Sequence, residues 1–276
     1  MKIAILLSTY NSERFIVEQL DSLLRQTVPD IEIHIRDDGS FDRTLEILKQ
    51  YQIANASIFV HENDGDNLRS AGSFLHLMKL VEADFYLFCD HDDVWLENKV
   101  EVSLSAAKLM NKVNDGKPLL VATDLVVVNE DLMVISESFA GYSRIKVEYI
   151  SSFSALAATN YVTGCTTLFN RALRDRALSY SAAGISMHDH WLGLVALDAG
   201  GTIKYIPVPT VLYRQHGSNV VGAKAIRFPL SLLYLPTSLK VLRSYIIQAK
   251  TVRPGVTAVA IIWAKFLYRL KCFLFR

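Results

Sequence analysis

Three carboxyl groups fall within four consecutive residues at Asp90-His91-Asp92-Asp93, directly after the apolar segment Phe85–Cys89. Such an apolar run is typical of a strand buried on both faces, and open α/β sheets bind ligands at the carboxyl ends of these strands. Carboxylates this close repel one another, and the repulsion grows as water is excluded. The cluster therefore predicts a site for a hard divalent cation such as Mg²⁺ or Mn²⁺. The alternative is a polar turn that caps a helix.

Two further predicted strands also end in polar residues. The first ends in Ser-Thr-Tyr-Asn-Ser-Glu at residues 8–13, and the second ends in Asp-Asp-Gly-Ser at residues 37–40. Together with the acidic cluster, these ends predict one crevice at a single edge of the sheet. There, Asp37 or Asp38 can accept hydrogen bonds from a base or a ribose hydroxyl, and Tyr10 can stack on a base. Alone, the Asp-Asp-Gly-Ser segment also fits an ordinary turn with glycine at positive φ.

The elements that must position these residues alternate along the first 130 residues. Short segments rich in β-branched and aromatic residues predict strands at 2–7, 31–36, 57–61, 85–89 and 119–128. Helical spacing of apolar residues predicts helices at 12–26, 42–51, 73–81 and 98–110, and Asn11 or Ser12 is the expected cap of the first. This alternation predicts an α/β fold with a mostly parallel sheet flanked by helices.

Length and composition indicate one substantial core with a small appendage, since the chain has 276 residues and is 51% hydrophobic. The three cysteines, Cys89, Cys165 and Cys272, are widely scattered, which suits a reducing cytosol better than a disulfide framework. The apolar run after Met1-Lys2 is only five residues long and predicts a first strand rather than a secretory signal.

Charge is distributed very unevenly. Residues 199–276 contain twelve Lys and Arg and no acid, so this part carries +12 and the first 198 residues carry −11. Residues 224–276 are basic and apolar throughout, with spacing that predicts amphipathic helices. We expect this tail to lie on an anionic membrane surface, at the cytoplasmic inner face of the cell membrane. Packing of the same helices on the sheet is the alternative. No nucleic-acid partner is expected.

Seven short motifs occur in a definite order: residues 8–11 with Leu20, Leu23 and 26–27; residues 37–40 with Asp42 and Thr44; and residues 67–74, 90–95, 160–170, 188–191 and 213–219. In this order the chain resembles family 2 glycosyltransferases of GT-A fold, especially their bacterial rhamnosyltransferase-like branch. The resemblance covers residues 1–220. It implies a nucleotide-diphospho-sugar transferase domain at 1–223, followed by the basic amphipathic tail at 224–276.

The resemblance also implies roles for individual residues. Asp92 would ligate the Mg²⁺ or Mn²⁺ ion directly, Asp90 would contact the metal or the ribose, and His216 would complete the coordination from a loop flanked by Gly217-Ser218. Arg69 either supports the base-binding aspartate or the diphosphate, or faces solvent. The implied donor-binding residues are Thr9, Tyr10, Glu13, Asp37, Asn67, Arg69 and Asp90.

An inverting transferase needs a base that takes a proton from the acceptor hydroxyl. Asp189 is the candidate, in the position of the family's acidic element before a predicted helix at 191–199. The alternative for Asp189 is a helix cap. A zinc site built from His91, His188 and His190 is a further, weaker alternative. Trp95 and Trp191 are expected in the core or in the wall of the site, and the alternative for either ring is stacking on a sugar face.

The expected reaction moves a sugar, rhamnose by the branch resemblance, from a dTDP- or UDP-sugar donor to a lipid-linked or growing cell-surface polysaccharide. Two alternatives are weighed against it. A sugar nucleotidyltransferase would need a glycine-rich loop after the first strand to grip a triphosphate, and residues 8–13 contain no glycine. A scaffold without turnover would be expected to lack the site acids, yet Asp90, Asp92 and Asp189 are all present.

Overall fold

The computed structural model describes residues 1–63, 65–181, 184–217 and 235–274. The predicted loop residues Ser218 and Asn219, the boundary at 223 and the first part of the tail, 224–234, lie outside the described residues.

The first half of the chain forms a parallel sheet with crossover helices. Its elements are β1 (Ile3–Thr9), α1 (Ile16–Leu24), β2 (Ile31–Asp37), α2 (Thr44–Ala54), β3 (Ile58–His61), α3 (Arg69–Leu80) and β4 (Phe85–Cys89). These strands lie in the order β3-β2-β1-β4 and are all parallel. All seven residues of β1 are buried, as expected for a strand covered on both faces. The predicted strand positions are confirmed.

The second half extends the same sheet. It comprises β5 (Val94–Trp95), α4 (Lys99–Asn114), β6 (Leu119–Val128), β7 (Val134–Ser136), α5 (Phe139–Tyr142), α6 (Phe153–Ala158), β8 (Thr167–Asn170), α7 (Arg171–Leu178), α8 (His188–Asp198) and β9 (Thr202–Arg214), with 3₁₀ turns at Val147–Tyr149 and Gly164–Thr166. The order continues β8-β6-β9-β5, and β7 pairs with β6. β8 is antiparallel to both neighbours, whereas β6 and β9 are parallel. Because β5 pairs with β9, the segment after the acidic cluster lies beside the C-terminal end of β9.

The predicted cap of the first helix is wrong. α1 begins at Ile16, and the preceding Phe15 makes no side-chain cap hydrogen bond. Instead, Asn11 Oδ1 accepts a hydrogen bond from the backbone N–H of Phe41 (3.1 Å), and Ser12 Oγ accepts one from the N–H of Tyr10 (3.1 Å). Both polar side chains therefore brace the loops at the carboxyl edge of the sheet rather than the helix.

Two hydrophobic layers cover the faces of the sheet. Because side chains alternate along a strand, Leu6 contributes to the layer under α3 and α8, and its neighbour Leu7 contributes to the layer under α1 and α4. Trp191 is buried in the first layer and Trp95 in the second, which confirms that both belong to the core.

The chain ends in α9 (Leu235–Val252) and α10 (Ala258–Leu274), which pack against α6 and α8. Their inner residues Ala249, Val252, Val256 and Ile261 are buried in the same layer as Trp191. The outer face of α10 carries a stripe of exposed side chains, here called the apolar stripe: Val259, Ile262, Trp263, Phe266, Leu270 and Phe273. Among the described residues, no helix is both long enough and apolar enough to cross a membrane.

Candidate active site

The acidic turn after β4 holds its three carboxyl groups in different surroundings. Asp90 is half-buried, whereas Asp93 is fully buried close to the thiol of Cys165. The ligand atoms of Asp90, Asp93 and Cys165 lie within 4.8 Å of one another. Asp93 Oδ1 also accepts a hydrogen bond from the backbone N–H of Arg214 (3.1 Å). Asp93 therefore ties the acidic turn to the end of β9.

Asp92 lies beside His216, although 124 residues separate them in the chain. Asp92 Oδ2 and His216 Nε2 form a hydrogen bond of 2.8 Å, and both side chains are almost completely shielded from solvent. The imidazole also packs against the ring of Phe15, with ring centroids 5.0 Å apart. The structure thus brings together two of the three residues expected to ligate a cation, from β4 and from the segment after β9.

The carboxyl groups of this turn interact electrostatically with one another and with Asp189, the candidate base. Burial, followed by the negative charges of Asp92 and Asp189, raises the pKa of Asp90 to about 8. Burial and the charges of Asp92 and Asp90 raise the pKa of Asp93 well above its usual range. Since neighbouring carboxylates oppose one another's ionisation, full ionisation of the turn requires a compensating positive charge.

Asp189 is buried in the first turn of α8, and Met187 rather than Asp189 is the residue before the helix. The capping alternative, and the predicted helix start at residue 191, are therefore wrong. Its carboxylate accepts hydrogen bonds from the backbone N–H groups of Gly164 (3.0 Å) and His190. Burial raises the pKa of Asp189 to about 6, against the opposing effect of these hydrogen bonds. A carboxylate with a pKa near the working pH is suited to general base catalysis.

Gly164 is required by the close approach of α8. A Cβ atom at this position would lie 2.8 Å from Nε2 of His188. A side chain here would therefore displace the His188 ring, which packs against Phe74 and Phe88 at the start of α8.

The two histidines that flank Asp189 are buried and neutral. The His188 ring lies 4.2 Å from the ring of Phe74 and 4.8 Å from that of Phe88, and burial lowers its pKa to about 3. His190 hydrogen-bonds to the carbonyl of Leu156, and burial lowers its pKa to about 4. In the part of the chain that the structure describes, no cluster of metal-type ligands contains either histidine, so the zinc alternative receives no support.

The ends of β1 and β2 form the other half of the crevice. Asp37 is buried and its carboxylate accepts hydrogen bonds from Thr9 Oγ1 (2.9 Å), Ser40 Oγ (2.6 Å) and the N–H groups of Ser40 (2.8 Å) and Gly39 (3.2 Å). Gly39 has a φ of +89°, which glycine adopts without strain. Tyr10 is 44% exposed, which leaves its ring accessible at the mouth of the crevice.

Residues 4–177 match the family described as Glycosyl transferase family 2. The chain belongs to this family. Among curated proteins, it is 28% identical over 232 residues to the dTDP-rhamnosyl transferase RfbG of Shigella flexneri, covering 79% of this chain and 74% of that protein. It is 30% identical over 188 residues to an uncharacterized glycosyltransferase of Rickettsia typhi, covering 65% of this chain and 55% of that one. The predicted glycosyltransferase family and its rhamnosyltransferase-like branch are confirmed.

Solved structures agree on the fold. S. aureus TarS residues 1–349, in complex with UDP-GlcNAc, superposes with a TM-score of 0.61 at 18% identity, covering all of this chain and 73% of that one. The mannosyltransferase PcManGT from Pyrobaculum calidifontis, in complex with GDP-Man and Mn²⁺, superposes with a TM-score of 0.56 at 13% identity, covering 98% of this chain and 80% of that one. The predicted GT-A fold is confirmed.

Three residues predicted to bind the donor of this glycosyltransferase lie at the rim of the crevice. Glu13 Oε2 accepts from the N–H of Arg43 (2.9 Å) and so links the loop after β1 to α2. Asn67 Nδ2 donates to the carbonyl of Asp38 (3.0 Å). Arg69 is exposed at the start of α3, and among the described residues its guanidinium has no hydrogen bond or ion pair with Asp37 or Asp38.

Arg36 binds an aspartate of the crevice, Asp38. Support of an aspartate was the role predicted for Arg69. Arg36 is buried at the end of β2, pairs with the carboxylate of Asp38, and donates to Ser73 Oγ (2.7 Å), Asn63 Oδ1 (3.1 Å) and the carbonyl of Asp66 (2.8 Å). Sequence reasoning missed this residue. The sequence does contain an indication of its role: Arg36 is a charged residue in a strand predicted to be buried on both faces, and a buried charged group requires a partner.

Arg214 is the second supporting residue that the sequence did not reveal. It is buried at the end of β9, and its Nε donates to the carbonyl of Asp92 (2.8 Å). Its other nitrogens donate to the carbonyl of Glu130 and the carboxylate of Glu18, and the guanidinium lies 4.6 Å from the ring centre of Phe15. Arg214 therefore joins the acidic turn, α1 and the end of β6 around the cation ligands.

Proposed function

We propose that this glycosyltransferase moves a sugar, with inversion, from a pyrimidine-nucleotide-diphosphate donor to a lipid-linked or growing cell-surface polysaccharide. The observation that carries the proposal is the turn before β8, which touches both sets of acids: the backbone N–H of Gly164 donates to Asp189 (3.0 Å), and the thiol of the next residue, Cys165, lies within 4.8 Å of the carboxylates of Asp90 and Asp93. The acids suited to a diphosphate-bound cation therefore lie near the acid suited to deprotonate an acceptor, as sugar transfer requires.

The donor side rests on the crevice between β1 and β2. Asp37, held by Thr9, would accept from the N–H of a uracil or thymine base, and Tyr10 would stack on the base. The name of the Shigella relative, a dTDP-rhamnosyl transferase, supports dTDP-rhamnose as the donor. The complex of TarS with UDP-GlcNAc makes UDP-sugars the second class to test.

The residues present fit a divalent cation. Asp90 and Asp92 offer the oxygen ligands that Mg²⁺ and Mn²⁺ prefer, and His216 offers a nitrogen beside them. Burial and the nearby charges of Asp92 and Asp189 raise the pKa of Asp90, so a cation bound beside these acids would favour its ionised form. When bound, the cation would offset the negative charge that develops on the leaving diphosphate.

Asp189 would accept the proton of the attacking hydroxyl. Its backbone partners Gly164 and His190 hold the carboxylate at the start of α8. With a pKa of about 6, the group is ionised near neutral pH and is still basic enough to take a proton during attack.

Attachment to the inner face of the cell membrane is the remaining part of the proposal. The apolar stripe on α10 is exposed, and the exposed cations Arg269 and Lys271 lie on the same helix, within a segment that has no acid after Asp198. A helix with these properties suits the interface of an anionic bilayer, where each Lys or Arg contributes about 1 kcal/mol. A lipid-linked acceptor would be presented at the same surface.

The test is a thermal-shift titration with dTDP-, UDP- and GDP-sugars, with and without Mn²⁺, followed by donor turnover with the stabilising sugar. We expect a pyrimidine nucleotide-sugar to stabilise and to be turned over, and Asp92→Asn to abolish the metal-dependent turnover. A GDP-sugar preference would contradict the base assignment, and full activity of Asp92→Asn would contradict the metal assignment. Binding without hydrolysis or transfer would favour a scaffold.

A further inference from the structure

Helix α9, from the C-terminal tail, reaches the element that carries the candidate base. Gln248 is completely buried on its inner face. Its Oε1 accepts hydrogen bonds from the backbone N–H groups of Ser186 (2.9 Å) and Met187 (3.0 Å), and from Ser186 Oγ (3.1 Å). These two residues immediately precede α8, so Gln248 fixes the point at which the chain enters that helix.

The amide nitrogen of Gln248 contacts His190, the residue after Asp189. Gln248 Nε2 lies 3.0 Å from Nδ1 of His190. Because the N–H groups of Ser186 and Met187 both point at Oε1, the amide nitrogen is the atom that faces the imidazole, and an amide nitrogen can only donate. Nδ1 of His190 therefore accepts, and its Nε2–H donates to the carbonyl of Leu156 (3.0 Å).

We propose that Gln248 is a positioning residue for Asp189, an inference that rests on the proposed function. Asp189 lies between the two points that Gln248 holds, Met187 on one side and His190 on the other. One of the hydrogen bonds to its carboxylate comes from the backbone N–H of His190, so a shift of His190 displaces the carboxylate directly. Burial and the charge of Asp189 raise the pKa of Tyr245, one turn earlier in α9, to about 12, which places this helix within electrostatic reach of the base.

This role differs from ordinary packing because Gln248 makes directional contacts on both sides of one residue. Val252, one turn later in α9, packs into the hydrophobic layer and has no polar group that could hydrogen-bond to α8. A buried amide that only filled space would be replaceable by leucine at little cost in rate. A positioning amide would not be, since misplacing a reacting group by about 1 Å can cost about a hundredfold in rate.

The test compares Gln248→Leu with Val252→Ala in the full chain, using the nucleotide-sugar that the wild type turns over. Gln248→Leu should lower kcat at least about tenfold and leave the donor KM within about twofold, because the donor crevice is untouched. Val252→Ala should lower the melting temperature while keeping the wild-type kcat. Equal kcat values for the two variants would overturn the inference and leave the proposed function standing.

A readout independent of turnover is the ¹⁵N spectrum of the His190 ring. The wild type should show the neutral Nε2–H tautomer. Gln248→Glu keeps an acceptor for Ser186 and Met187 but places a carboxylate against Nδ1, so it should convert the ring to an imidazolium. An Nδ1–H tautomer in the wild type would overturn the inference. Failure of the proposed function would be read separately, from the absence of donor turnover in the wild type.

Discussion

Individual carboxyl groups in this glycosyltransferase differ because their surroundings differ. Burial raises the pKa of both Asp189 and Asp90, but hydrogen bonds from the backbone N–H groups of His190 and Gly164 oppose the rise at Asp189, whereas neighbouring carboxylates add to it at Asp90. The first is suited to exchange a proton near neutral pH. The second is suited to lose its proton when a cation binds.

The pKa of Asp189 determines how kcat is expected to change at acidic pH. A general base must be ionised, so kcat should fall as the pH decreases through about 6, the pKa of Asp189. Asp189→Asn should reduce kcat by about 10²–10⁴ and leave donor binding intact. The measurements are the pH dependence of kcat and donor affinity by calorimetry. A wild-type level of turnover in Asp189→Asn would remove it from the base role.

Asp90 predicts how pH and metal affect stability. Its pKa is raised from about 4 in the unfolded chain to about 8, so the folded protein holds a proton that the unfolded chain has lost between these values. Its contribution to stability therefore decreases as the pH rises from about 4 to about 8. A cation displaces that proton, so Mn²⁺ should raise the melting temperature more at pH 8 than at pH 6. Calorimetry on wild type and Asp90→Asn checks this, and equal shifts at both pH values would contradict it.

At the scale of elements, the site depends on where β9 ends. β9 pairs with β6 in parallel and with β5 antiparallel, and this places Arg214 behind the acidic turn and His216 in front of it. The strand thus brings the supporting guanidinium group of Arg214 and the candidate metal ligand His216 to the carboxyl edge of the sheet.

Loss of Arg214 should therefore affect both folding and metal affinity. Arg214→Met leaves the carbonyl oxygens of Asp92 and Glu130 without their donor and should cost about 3 kcal/mol in the free energy of unfolding. Mn²⁺ affinity should drop at least about tenfold, as is typical when a residue behind a metal ligand is removed. Glu18→Gln is the matched control, because Glu18 is half exposed and its loss should cost less than about 1 kcal/mol. Urea unfolding and Mn²⁺ titration measure both effects, and equal losses in the two variants would contradict the role of Arg214.

At the scale of the whole molecule, the tail both packs and presents a surface. Its inner face buries Val252 and Ile261 against the helices around Trp191, and the apolar stripe faces outward. Removal of residues 224–276 would therefore expose the core beside α8 and withdraw Gln248, so it is expected to destabilise the enzyme and impair catalysis. Substitutions in the stripe separate membrane attachment from folding.

The double variant Trp263→Ser/Phe266→Ser tests the surface. Both side chains are more than half exposed, so the fold should retain its melting temperature. Each large apolar side chain contributes about 1.5–3 kcal/mol when fully buried, so binding to anionic vesicles should weaken at least about tenfold. Ile53→Ser, an exposed substitution on α2, is the control for a general loss of hydrophobicity. Unchanged co-sedimentation of the double variant would contradict membrane attachment through the stripe.

The sequence alone was sufficient for the parallel strands, the family and the candidate acids. Buried runs such as Phe85–Cys89 and the carboxylates that follow them are local patterns, and strand ends of a parallel sheet necessarily share one edge. The cap of α1 could not be predicted in this way, because Asn11 accepts from Phe41 in the loop after β2, and Ser12 accepts from Tyr10 in its own loop. A local cap signal does not reveal a competing partner 30 residues away.

Only the tertiary structure decided which groups support the acids. Arg214 holds Asp92, and Gln248 holds the flanks of Asp189, through contacts between residues that are 122 and 58 positions apart in the chain. No local spacing encodes such contacts, because they depend on strand order and on the packing of α9 against α8. The sequence therefore predicted candidate residues for the chemistry. The fold determined their charges, since burial and the approach of distant partners set the pKa of each group.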